Sequence, residues 1–183
     1  MKRISLSLLG LCVILLTVNA HSLNAMTRNG DNSISANKIQ VSKVSNPILL
    51  AQSTYDSELL ALTNAERSKA GLPALRFSTK LGQAGQNHAI DMVQKNFFSH
   101  TGSNGSQPWD RAKSVGYSYS SIGENIAGGN KTPAETIKQW MASPGHRSNI
   151  LSSKYTEIGF GYTNSPSYQY KDVWVQVFGN PKP

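Results

Sequence analysis

Three side chains carry the types that could do chemistry together: His100 in FFSH, Glu124 in GENIAGG and His146 in SPGHRSNIL. Imidazole nitrogen and carboxylate oxygen are the donors that a Lewis-acid or binding site for a divalent cation draws on. His100 and His146 are too far apart in sequence to form a helical pair, so only the fold can bring them together. Glu124 lies between them in a run flanked by glycine, which lets the backbone approach closely. Pro144-Gly145 breaks the preceding apolar run and places His146 at a turn. A loop histidine held by packed elements is a usual place for chemistry; the alternative is a surface histidine at a helix junction.

The elements that must position these residues follow from periodicity. Leu59 and Leu62 with Ala65 to Ala70 predict a helix over 55–70, with Glu58, Arg67 and Lys69 on its other faces. Gly71 and Pro73 stop it. A second helix, capped by Ser78 or Thr79, runs to about Lys95 with Leu81, Ala84, His88 and Met92 on one face. Among such neighbours His88 is read as a buried histidine bonded to a backbone carbonyl, outside the site. Pro108 to Val115 is a short helix with Trp109 and Ala112 inward, ended by Gly116. Thr132 caps a further helix whose apolar side is Ile137, Trp140 and Met141.

Two strands finish the chain, over 157–163 and 172–178, with Ser165-Pro166-Ser167 between them as an antiparallel connection. Val173, Val175 and Val177 occupy one face of the second strand, and Trp174, Gln176 and Phe178 the other. Apolar weight on both faces makes that strand central and covered on both sides. The fold class is α+β, a three-layer α-β-α sandwich with a small antiparallel sheet between helices.

The N-terminus reads as a secretory signal over 1–20: a basic Met1-Lys2-Arg3 head, then an apolar run from Ile4 to Val18 too short for a comfortable span. Cleavage after Ala20 or Ala25 fits the small-residue rule. Residues 21–54 are rich in Asn and Ser and form a polar, disordered linker, with Ile48-Leu49-Leu50 as its one apolar cluster. The domain occupies 55–183, about 130 residues, enough for one ordinary core. Export implies a secreted or cell-envelope protein with no stable membrane span after cleavage.

Cys12 is the sole cysteine and lies inside the leader, so the mature chain has no disulfide and no thiol chemistry. The formal charge is +8, and removing Lys2 and Arg3 takes it to +6. Outside the cell this favours anionic wall polymers or membrane surfaces. Nucleic acid is disfavoured, because the cations are scattered and no basic cluster alternates with aromatics. The chain has no HExxH, no GxSxG elbow and no P-loop. Asp110 and Glu124 as a glycosidase pair rest on nothing but two carboxylates.

The runs FFSHTG, GENIAGG, WMASPGHRSNIL, EIGFGY and WVQVFG occur in this order. They resemble the CAP superfamily (SCP domains), which includes cysteine-rich secretory proteins, antigen 5 and plant pathogenesis-related proteins, and they resemble its disulfide-free bacterial branch most. The resemblance covers roughly 55–179 and implies the same α-β-α sandwich. It implies a central cleft in which His100 and His146 hold a divalent cation, zinc by preference, with Glu124 as the first of two glutamates. The second falls three residues after the tryptophan in the eukaryotic branch. Here that position is Ser143, which reduces the tetrad to a triad.

Ser143, Asn125, Arg147 and Gln176 are candidate residues of the ligand-binding cleft: amides that satisfy buried groups, and a guanidinium able to hold an anion. Structural hydrogen bonding is the alternative role for the last three. Two functions remain: a cation-holding module that binds a lipid, peptide or wall fragment, or a metal-dependent hydrolase with His100, Glu124 and His146 as its catalytic candidates. The hydrolase lacks an independent general base once Ser143 stands in for the carboxylate.

Overall fold

A computed structural model describes residues 47–183. The expected signal over 1–20, and the linker as far as residue 46, lie outside the described residues. Their elements run α1 (Pro47–Lys69), β1 (Arg76–Phe77), α2 (Thr79–Gln94), α3 (Pro108–Ser114), β2 (Tyr119–Gly128), α4 (Pro133–Ala142), α5 (Pro144–Ile150), β3 (Glu157–Asn164) and β4 (Asp172–Pro181). The first helix thus begins at Pro47 rather than Tyr55.

The sheet order is β1-β3-β4-β2. β4 is antiparallel to both neighbours, and the two-residue β1 pairs parallel with β3. The alternation in β4 sorts the two cores. Val173, Val175 and Val177 pack with Leu81, Ala89 and Met92 of α2 and Ala112 of α3. Trp174 and Phe178 pack with Leu59 of α1, Ile137 and Trp140 of α4 and Ile150 of α5. Helices on both faces of one sheet make the three-layer sandwich, and β4 is central and covered, as its double apolar pattern requires.

The α2–β3 contact is backbone against backbone. A Cβ at Gly159 would strike Gly82 N and Leu81 C, and one at Gly161 would strike Gly85 and Gln86 N. Gln86 then uses its amide as a strand would: Nε2 donates to Tyr162 O at 2.9 Å and Oε1 accepts from Tyr162 N at 2.9 Å. That closes the part of the β3 edge that short β1 leaves unpaired.

Three expectations about single residues are corrected. Arg67 does not lie on an outer face of α1; it is 1 % exposed. Its guanidinium donates to Pro73 O (2.9 Å), Ile150 O (2.9 Å) and Ser152 O (2.8 Å), so it satisfies one carbonyl of the loop after α1 and two at the C-terminal end of α5. Trp109 does not face inward but is 47 % exposed, and Arg111, two residues on, takes the inward place beside Ala112. Pro144-Gly145 ends α4 but does not leave a turn. Pro144 opens α5, with Ser143 in extended conformation as the shared cap residue, so His146 lies on a short helix.

Candidate functional site

Strand β2 divides its side chains between the two cores. Its register sets Glu124 opposite Val177 and Asn125 opposite Gln176. Ile122, Glu124 and Ile126 therefore face α2 and α3, while Asn125 and Ala127 face the α1, α4 and α5 layer. Glu124 and Asn125 are adjacent, yet they build different halves of the site.

Glu124 is the anchor of the first half, its side chain 2 % exposed. Oε1 accepts from His100 Nδ1 at 2.8 Å, and Oε2 accepts from the Arg111 guanidinium at 2.8 Å. A carboxylate can only accept, so Nδ1 carries the proton. The neutral His100 ring is then left with its lone pair on Nε2. That ring is 49 % exposed, in contrast to the carboxylate that orients it. Arg111 also donates to His100 O at 2.9 Å and Ser106 O at 2.8 Å. One buried guanidinium thereby fixes both the backbone of His100 and the carboxylate that aims its ring.

His88 approaches the same carboxylate, its Nε2 standing 3.9 Å from Oε1. Its hydrogen bond goes instead to Ser99 O at 2.9 Å, the backbone-carbonyl role expected from its core-type neighbours. Burial lowers its pKa below the usual histidine value, against the opposing pull of Glu124. Its Nδ1 is buried without a partner.

The second half is a set of amides. Asn125 Nδ2 donates to His146 O (3.1 Å) and to Gln176 Oε1 (3.0 Å), and Asn125 Oδ1 accepts from Asn149 Nδ2 (2.9 Å). Gln176 Nε2 donates to Thr63 Oγ1 at 2.9 Å, and Asn149 Nδ2 also reaches Glu124 O at 3.2 Å. Asn125 and Gln176 are fully buried. They clamp α5 to β2 and α1 to β4 rather than line an accessible wall. The clamp positions His146, which is partly buried and carries an unpartnered buried Nδ1. Its pKa is lowered by burial first and then by neighbouring His100.

Of the remaining candidates, Ser143 is partly buried, and its hydroxyl makes no capping bond to α5. Arg147 is exposed, and no ion pair engages it among the described residues. A Cβ at Gly123 would project into the Tyr155 ring.

Among the described residues no group of three or more His, Cys, Asp or Glu is disposed to hold a metal. Glu124 spends both oxygens on His100 and Arg111, which suits an outer partner of the ligand rather than the ligand itself. Arg111, Asn149 and Thr63 were not singled out from the sequence. Their parts depend on partners 13 to 113 residues away, which no local period marks.

Residues 60–178 match the family model CAP, the cysteine-rich secretory protein family. The uncharacterized Bacillus subtilis protein YkwD is 44% identical over 126 residues, 69% of this chain and 47% of YkwD. The uncharacterized B. subtilis membrane protein YlbC is 33% identical over 110 residues, 60% of this chain and 32% of YlbC. The chain thus spans less than half the length of either relative. Its structure is similar to an extracellular SCP-domain protein of Bacillus anthracis, with TM-score 0.65 and 26% identity over 74% of this chain and 44% of that one. An outer surface protein of Borrelia burgdorferi shares the fold, with TM-score 0.63 and 22% identity over 69% of this chain and 92% of that one. On the family match across most of the sandwich, this chain belongs to the CAP, or cysteine-rich secretory protein, family.

Proposed function

We propose that this is an exported CAP-domain binding protein that holds a divalent cation between His100 and His146 and, beside it, a small ligand such as a lipid, peptide or wall fragment. The observation that carries the reading is the His100–Glu124 bond of 2.8 Å, which puts the proton on Nδ1 and leaves the lone pair of this half-exposed ring on Nε2. His146 adds a second imidazole that burial keeps neutral, the form a metal requires. Zinc suits two nitrogens with oxygen donors completing the shell. A bound cation would offer its open positions to oxygens of the ligand.

Export is supported by the leader pattern and by neighbours described as extracellular or outer-surface proteins. Among the described residues no helix is long and apolar enough to cross a membrane. Hydrolysis is the weaker reading, because Glu124 is already engaged at both oxygens and Ser143 supplies no carboxylate.

Equilibrium dialysis against zinc tests the proposal. The wild-type chain should take up one ion, more weakly than a closed four-ligand site, and each of His100→Ala and His146→Ala should lose at least about tenfold in affinity. Equal uptake by wild type and both variants would reject it.

A further inference from the structure

A second surface, with no histidine in its lining, has the character of an anion-binding groove. Lys113, Gly116, Tyr117, Ser118, Tyr119 and Lys182 line a volume of about 430 Å³, within the ordinary range for ligand sites. No acidic residue contributes to its lining. The two ammonium groups come from separate elements, Lys113 from α3 and Lys182 from the residues after β4. Neither has an ion pair among the described residues.

The groove is held in shape by the backbone. Lys182 N donates to Ser118 O at 3.1 Å, and Tyr119 pairs with Pro181 across the β2–β4 ladder. A third ammonium stands close by, since Lys80 Nζ donates to Gly116 O at 2.8 Å. Lys113 Nζ lies 5.9 Å from the centre of the Tyr119 ring. Tyr117 turns its hydroxyl to Glu157 at 3.0 Å, and that carboxylate is already paired with Arg76 at 3.0 Å. The acid that comes near is thus neutralised, and the lysines keep their field.

We infer that this groove binds an anionic chain of polyol units joined by phosphodiesters. Two unpaired ammonium groups, each a mobile point charge, suit successive phosphates. The Tyr119 ring and the Ser118 hydroxyl in the same lining suit the less polar and hydroxyl-bearing faces of the intervening unit. The open form of the groove admits a chain, where an enclosed cavity would admit only a small ion. Binding here is independent of the cation site and survives its failure.

The test uses the purified chain and poly(glycerol phosphate) of defined length, titrated by calorimetry at 50 and 200 mM salt. The double variant Lys113→Gln/Lys182→Gln should weaken binding at 50 mM salt by about tenfold or more. A control of equal charge loss on exposed residues outside the groove, Lys131→Gln/Lys138→Gln, should cost no more than about twofold. Tyr119→Leu should weaken binding while leaving its salt dependence unchanged, a split that a purely electrostatic attraction would not show. Equal losses in the two double variants would overturn the inference by reducing it to net charge, as would no loss in either. Equal or tighter binding of a single-stranded DNA of matched charge would overturn the assignment to a polyol chain. Matching melting temperatures of the variants and wild type verify that the comparison is between folded proteins.

Discussion

Arg111 meets Glu124 across 2.8 Å in the interior between α3 and β2, while the other oxygen of the same carboxylate holds His100. A charge taken out of water is tolerated only when its partners are in place. This pair therefore ties the orientation of an accessible imidazole to the stability of the fold.

Arg111→Met should cost about 3–5 kcal/mol in urea denaturation, because it strands the Glu124 carboxylate in the interior. Adding Glu124→Gln to that variant should recover part of the loss, and the double-mutant cycle should give a coupling of at least about 1 kcal/mol. Additive losses would mean that the two groups are held independently.

The glycines separate two kinds of position. Gly161→Ala should destabilise by at least about 1–3 kcal/mol, since its Cβ would enter the α2 backbone at Gly85. Gly145→Ala in α5 meets nothing within 4 Å and should be neutral or stabilising by up to about 1 kcal/mol. Thermal melts of the two variants check the contrast.

Much of this was legible in the sequence where a short period is at work. The valine and aromatic faces of β4, the α2 stripe and the carbonyl-bonded role of His88 all follow from alternation or three-four spacing. Arg67 and Arg111 were not legible. A helical position occupied by arginine looks solvated unless one knows which distant carbonyls or carboxylate it will reach. Trp109 misled for the complementary reason, since a large apolar residue can remain at the surface when a buried ion pair takes the inward place. Glu124 could be picked out as a candidate, but its bonds to both His100 and Arg111 depend on the β2–α3 packing.

Stability should fall as the medium is acidified below about pH 6.5. His88 and His146 both have folded pKa values below the ordinary 6.5, chiefly through burial. The unfolded chain then binds more protons, so their contribution is intact above about 6.5 and is lost as pH drops through the folded values. The melting temperature should be flat in this respect between pH 7 and 8 and decline towards pH 5. In NMR titration the His88 midpoint should lie below 6.5. A His88 resonance with its midpoint at 6.5 or above would contradict this.

The central claim is that Glu124 holds the His100 proton on Nδ1 and leaves Nε2 free for a cation. Long-range 1H–15N correlation spectra of the histidine rings during a zinc titration read it directly. The account predicts a protonated Nδ1 in His100 before and after zinc, with a large shift at His100 Nε2 and a matching response from His146 at one equivalent. A His100 ring protonated on Nε2 in the free protein, or rings of His100 and His146 that ignore zinc, would contradict it.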